Sequence, residues 1–496
     1  VLLRLNVKGF KNLEDVTVRF GPLTCFVGLN GVGKSNLFDA IQFLKLLADH
    51  PIQEAAAGVR RSLAGGHAPL DLFLDRDPTG IISFEADILI PKKVIDDFQR
   101  ASNASATLLR YTVAFRYQPE PAPRLELVEE TLTYYKKGQA PSLIGFETSA
   151  PFIHTTVLAT RYGNDFISTG RDDDGKPVVK LHQDGGSRGQ PFNPGASPRT
   201  VLGGTNTVEY PTVLAARREM QSWRLLQLEP SAMRSPDPDD GSTGVTEHGR
   251  GVAATLFALN QRMLAARKAE AQRSLGDPPE VAASPAPAYQ PAGDDSDNVP
   301  PADAAWDPYL AAVHTLRELN EQVDELRVER DAARNQLVLQ ARMRGMTEWL
   351  NPRSLSEGTL RFLALATLRL DPDARGLVAL EEPENGIHPS RVRALVDLLR
   401  DMAVDPTCPP APDNPLRQVI LNTHSPDVVR RLYEDEILWV ERHDSPRGAR
   451  AHVRALRDGW RGDADAIPKD LIEEYIQGAP LGLRWSRQLA LFRGDA

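Results

Sequence analysis

Near the start of the chain, Gly28-Leu29-Asn30-Gly31-Val32-Gly33-Lys34-Ser35 carries the spacing G-x-x-x-x-G-K-[ST]. Glycines at this spacing let backbone N–H groups curl around an anion where a side chain would block approach. Lys34 would supply a point charge to β- and γ-phosphates, and the Ser35 hydroxyl an oxygen for Mg²⁺. The chemistry is nucleotide phosphate binding, with ATP and Mg²⁺ as the expected ligands. Leu377-Val378-Ala379-Leu380-Glu381-Glu382 is an apolar run ending in two carboxylates. The first suits Mg²⁺ and the second suits a water to be oriented or deprotonated. The Glu381 side chain offers carboxylate oxygen for that metal. Ser356-Glu357-Gly358 opens an apolar-periodic stretch. Ser356 is a good helix cap, and a helix start offers N–H groups to an anion. Asn422-Thr423-His424-Ser425-Pro426 follows another apolar run, and His424 could donate to a γ-phosphate or position water. A lone His after a strand is most often structural; its place in this order points to chemistry.

The elements that must hold these groups are read from periodicity. Leu3, Leu5 and Val7 alternate with polar residues, which predicts a half-buried strand. Gly9 and Asn12 mark a turn before Val16, Val18 and Phe20 alternate again. Leu23–Val27 reads as a buried strand, and the helix after the glycine loop runs through Leu37, Ile41, Leu44 and Leu47 until Pro51. Ile81–Leu89, Leu108–Tyr117 and Leu125–Tyr135 read as strands of an antiparallel arm. The stretch 170–204, rich in Gly, Pro, Asp and Ser, reads as long loops. Val252–Leu275 has helical spacing, whereas 277–303 is crowded with Pro, Ala, Asp and Gly and reads as a mobile insertion. Leu310–Leu319 reads as helix, and Val323–Val328 with Gln336–Met343 as a strand pair. Helices over Leu360–Leu370 and Val392–Met402 then alternate with strands at Leu377–Leu380 and Val419–Leu421. A hairpin is expected from Ile437–Glu441 and Ala451–Leu456 around Ser445-Pro446. Strands separated by helices predict α/β layers with a partly parallel sheet.

Composition narrows the class. The 496 residues allow about three domain-sized units. With 41% hydrophobic and 25% charged residues the chain is neither disordered throughout nor a small disulfide scaffold. Cys25 and Cys408 are the only cysteines, which excludes a disulfide framework and fits a reducing cytosol. No apolar run approaches the ~20 residues of a membrane span, and no signal segment opens the chain, so a cytoplasmic protein without a membrane partner is expected. A net charge of −9 argues against indiscriminate coating of nucleic acid. Arg442, Arg447, Arg450, Arg454, Arg457 and Arg461, with the smaller clusters Arg60-Arg61 and Arg217-Arg218, could still contact phosphates or simply form a solvated face among Asp and Glu. Asp463-x-Asp465 reads as a solvated turn rather than an acidic site.

Taken in order, these motifs resemble the ABC-type ATPase heads of the RecF, SMC and OLD-like group, and prokaryotic AAA-family ATPases in particular. Leu5–Leu13, Gly33–Leu37, Trp223–Arg234, Leu355–Arg361 and Glu381–Pro389 carry the resemblance. It implies an α/β P-loop NTPase of ABC-ATPase head type: two lobes, a mixed and partly parallel sheet with an antiparallel β subdomain, and an inserted helical and loop arm. The expected divisions are an N-terminal lobe over 1–232, a helical insertion over 233–320 containing a loop at about 276–304, and a C-terminal lobe over 321–496. The resemblance further implies that two heads clasp ATP head to tail. Asn30, Gly31, Gly33, Lys34, Ser35 and Asn36 of one subunit would hold the nucleotide, and Ser356, Glu357 and Gly358 of the other would close over it. Glu382 would be the general base, His424 the γ-phosphate sensor, and Ser35 with Glu381 the Mg²⁺ ligands. Gln227 is the candidate metal-sensing glutamine, against a plain surface residue, and Glu384 with Asn385 falls in the dimer-contacting loop.

The expected assembly is a homodimer or a higher even-numbered oligomer. The long stretch between phosphate loop and signature disfavours a transporter subunit, and the stretch after His424 is short for a nuclease domain. Two functions fit these expectations. One is a hydrolysing ATPase in DNA-associated genome maintenance or anti-phage defence. The other is an ATP-gated scaffold that holds or releases a separately encoded effector such as a nuclease.

Overall fold

The strand Leu23–Val27 is buried at every position. A five-residue run buried in this way needs neighbours on both edges and cover on both faces. In the computed structural model, which describes residues 1–59, 69–159, 163, 165–186, 189–275, 306–445, 448–456, 459–461 and 466–477, both edges are filled from the far end of the chain. Arg417–Thr423 pairs with one side and Ile437–Ser445 with the other, both parallel. Gly376–Glu381 lies beyond Arg417–Thr423, and Arg224–Leu226 beyond that, again parallel. Gly448–Ala455 closes the six-stranded sheet antiparallel to Ile437–Ser445.

Alternation along these strands sends side chains to two cores. Phe26, Ala379, Ile420, Leu438 and Val440 face a core that contains the helix Lys34–Asp49. Cys25, Val27, Leu380, Val419, Leu421 and Trp439 face the other, built with the helices Glu357–Leu370 and Val392–Met402. The helix Lys34–Asp49 is covered on its far side by an eight-stranded antiparallel sheet that includes Leu2–Phe10, Ile81–Leu89 and Leu108–Gln118. Phe43 on that helix lies 5.4 Å from Phe84 and 5.7 Å from Phe115, centroid to centroid. Such aromatic contacts fix the helix, and with it the phosphate loop at its start. These layers are those of an α/β P-loop NTPase with mixed sheets.

The helices Val252–Leu275 and Pro308–Leu319 and the strand pair Val323–Asp331 and Gln336–Met343 form where periodicity predicts them. The insertion loop expected at 277–303 lies outside the described residues. The stretch 170–204 differs from its reading as loops. It carries strands at Ile167–Arg171, Pro177–Leu181 and Gln190–Phe192 that extend the antiparallel sheet. The turn between the first two is made by Gly175 at φ +77 and by Asp172, whose carboxylate accepts from the Asp174 and Lys176 N–H groups. Only a few apolar residues, such as Val179 and Leu181, anchor these short strands in the core. Among the described residues no helix is long and apolar enough to cross a membrane.

Candidate nucleotide site

Parallel strands that share one direction release their following loops at one edge of the sheet, which is where ligands bind in such folds. Leu226 stands opposite Leu380, Glu381 opposite Asn422, and Thr423 opposite Val27. Gln227, Glu382, His424 and Gly28, far apart in sequence, therefore emerge side by side.

The phosphate loop bends through Gly31 at φ +78 and Gly33 at φ +114. A Cβ on Gly33 would sit 2.6 Å from Asn12 Nδ2 and 2.7 Å from Ala451 Cβ. Asn12 staples the loop: its amide donates to Val32 O (3.4 Å), and its Oδ1 accepts from Asn36 Nδ2 (2.7 Å). Asn30, Gly31 and Ser35 are exposed on the loop, whereas Lys34 is buried. Lys34 Nζ donates to the carbonyls of Gly28 (2.5 Å) and Leu29 (2.8 Å). Burial pulls the Lys34 ammonium below the usual lysine range, and the nearby Glu382 carboxylate works against that shift. Gly33→Ala is expected to weaken ATP binding about tenfold or more, because the left-handed backbone and the crowded Cβ together cost about 1–3 kcal/mol; equilibrium titration with ATP reads this.

Ser35, Gln227, Glu381, Glu382, Asn385 and Asn422 line one cleft of about 340 Å³. Glu382 sits at φ +47, and its N–H donates to Asn422 O (3.0 Å) and Oδ1 (3.1 Å). Its carboxylate is held at both oxygens: Oε1 lies 2.9 Å from His424 Nδ1, and Oε2 accepts from Asn385 Nδ2 at 2.9 Å. The first contact needs the proton on His424 Nδ1, so Nε2 donates to a phosphate only in the imidazolium form. The Tyr475 hydroxyl donates to His424 O at 2.6 Å and fixes the backbone there. Ser35, Glu381 and Gln227 bring hydroxyl, carboxylate and amide oxygens to one cleft, a hard donor set that fits Mg²⁺.

The residues expected at a dimer contact part company. Asn385 is exposed, but Glu384 is turned inward, where its carboxylate accepts from Thr423 Oγ1 and burial raises its pKa. Ser356 caps the helix Glu357–Leu370, its Oγ accepting from Thr359 N at 3.1 Å. Gly358 packs so closely on the acidic-pair loop that a Cβ would lie 2.6 Å from Gly386 O. Ser356, Glu357 and Gly358 do not line the cleft, although Arg361 does, donating to Leu228 O at 3.2 Å and to Asn385 O. Sequence reasoning missed Arg361, Asn12, Asn422 and Tyr475 as members of this network. Asn12, Arg361 and Asn422 lie inside the motifs named above, which was the available signal; Tyr475 had none.

Among the described residues the arginines of the basic stretch are engaged within the fold. Arg442 pairs with Asp444 (2.7 Å) and Arg454 with Glu441 (3.4 Å). Arg450 is buried against Asp75, and Arg461 donates to Arg19 O (2.8 Å) and Thr24 Oγ1 (2.9 Å). Arg217 donates to Ala48 O and Thr205 O, and Arg218 pairs with Asp97. Arg60, Arg61, Arg447, Arg457, Asp463 and Asp465 lie outside the described residues. A larger cavity of about 1210 Å³ opens at the opposite edge of the sheet among Gly21, Trp306, Arg417 and Trp460. It contains none of the motif side chains, and size alone does not make it the nucleotide site.

Residues 202–430 match a family described as "AAA domain, putative AbiEii toxin, Type IV TA system", and residues 4–46 match an AAA domain family. A 55-residue stretch is 42% identical to the DNA replication and repair protein RecF of Phocaeicola vulgatus, covering 10% of this chain and 15% of that protein. RecF of Bacteroides fragilis is 46% identical over 55 residues, with the same coverage. The OLD nuclease of Thermus scotoductus is 48% identical over 44 residues, 9% of this chain and 8% of that one. The chain thus spans 15% or less of the length of these curated relatives. The crystal structure of the SmcHead bound to the C-winged helix domain of ScpA aligns over 92% of this chain and 98% of that chain, with 12% identity and a TM-score of 0.43.

Proposed function

We propose, taking the chain as a RecF/SMC/OLD-like P-loop ATPase, that it binds Mg-ATP at the loop Gly28–Ser35 and hydrolyses it when two heads clasp the nucleotide. The observation that carries this reading is the shared cleft of Ser35, Gln227, Glu381 and Glu382, with the Glu382 carboxylate fixed by His424 and Asn385. Phosphoryl transfer is mainly positioning and charge stabilisation. Loop N–H groups and Lys34 cradle the phosphates, and Glu382 accepts the proton of the attacking water. Ser35, Glu381 and Gln227 would hold Mg²⁺, which would supply positive charge to the transferring phosphoryl group.

Ser356 and Gly358 cover the γ-phosphate of the partner head. Their place at the start of a 14-residue helix, whose N–H groups suit an anion, supports this role. A DNA-associated role in genome maintenance is supported by the short RecF stretches. Turnover stimulated by DNA and weakened by salt tests it. Ser356→Arg is expected to leave ATP binding in place and to lower turnover about 100-fold by misplacing the trans contact. Wild-type turnover in that variant would remove the composite site.

A further inference from the structure

A second cavity, of about 200 Å³, is lined by Arg234, Arg250 and Arg353 against a single carboxylate, Asp237. Asp237 is fully engaged elsewhere. Its oxygens accept from the N–H groups of Gly251 (2.8 Å), Ala253 (2.8 Å) and Ala254 (3.2 Å), capping the helix Val252–Leu275. Among the described residues neither Arg250 nor Arg353 makes an ion pair, and both are exposed. Arg234 Nε is buried without a hydrogen-bond partner, and Arg234 Nη1 comes no closer than 4.0 Å to Glu357 Oε1. Three guanidiniums thus line one cavity whose single carboxylate is already engaged by backbone N–H groups.

We propose that the cavity binds a small phosphoryl-bearing anion: a diphosphate group, either free or carried on a nucleoside. Guanidinium forks match phosphate oxygens bidentately, and a cavity of this volume admits a diphosphate but not a nucleic-acid duplex. Its ligand is sensed at the segment Ser356-Glu357-Gly358. An anion on Arg234 competes with Glu357 for that guanidinium, and Arg353 sits in the turn Pro352–Ser354 that leads into Ser356. The site stands apart from the phosphate loop and does not depend on the proposed hydrolysis.

Inorganic pyrophosphate titrated calorimetrically into the Lys34→Ala chain tests this, because the main cation of the phosphate loop is then removed. One site per chain is expected to remain. Adding Arg250→Ala and Arg353→Ala in that background is expected to weaken it at least tenfold with an unchanged thermal melt. The same two substitutions with Lys34 intact leave ATP binding at the phosphate loop. ADP binding more tightly than pyrophosphate assigns a nucleoside-borne ligand, and equal binding assigns the free anion; either supports the site. No pyrophosphate binding in the Lys34→Ala chain, or affinity unchanged by loss of Arg250 and Arg353, would overturn it.

Discussion

Lys34→Ala is expected to weaken ATP binding by about two orders of magnitude or more. Losing one partner of a hydrogen-bonded, partly buried charge pair costs about 2–5 kcal/mol, and each 1.4 kcal/mol is tenfold. Without nucleotide, Lys34 Nζ rests on the Gly28 and Leu29 carbonyls, which are weaker acceptors than phosphate oxygens. The exchange of neutral for anionic acceptors is the source of the affinity. Burial already lowers the ammonium pKa in the free protein, and bound phosphate must raise it again. ATP binding therefore takes up a proton at alkaline pH. Affinity falls as pH rises through the depressed value of Lys34, earlier than an ordinary lysine would titrate. Equilibrium titration with ATP across alkaline pH checks the direction, and a flat profile would remove Lys34 from the phosphate contact.

Glu382→Gln is expected to lower the rate of phosphate release by about 10²–10⁴-fold, the usual contribution of a positioned general base. ATP affinity should not fall. The amide keeps a carbonyl oxygen for Asn385 or His424 and removes a negative charge close to Lys34 and the phosphates. The effect belongs in kcat rather than KM. Steady-state phosphate release measured over a range of ATP concentrations separates the two, and an unchanged kcat would end the catalytic role of Glu382.

The chemistry-bearing ends of the central strands were legible in the sequence because each is a short apolar run followed by a polar or glycine signal. Leu23–Val27 before Gly28 and Gly376–Glu381 before Glu382 are such cases. Helices such as Val392–Met402 were legible for the same reason: burial on one face repeats at helical spacing. The strands inside 170–204 were not, because they are short, partly polar and held by edge pairing. The inward turn of Glu384 towards Thr423, and the pairing of Arg450 with Asp75, depend on partners dozens to hundreds of residues away. Local pattern carries no information on such partners. Arg450 and Arg454 show the consequence: charges that read as part of a basic run are, in the fold, paired with Asp75 and Glu441.

Sedimentation velocity of the Glu382→Gln chain with and without Mg-ATP tests most directly whether two heads share the nucleotide. The species is expected to double in mass on adding Mg-ATP and to return to a single head when Ser356→Arg is added. A single head at saturating ATP, with nucleotide bound, would contradict the composite site.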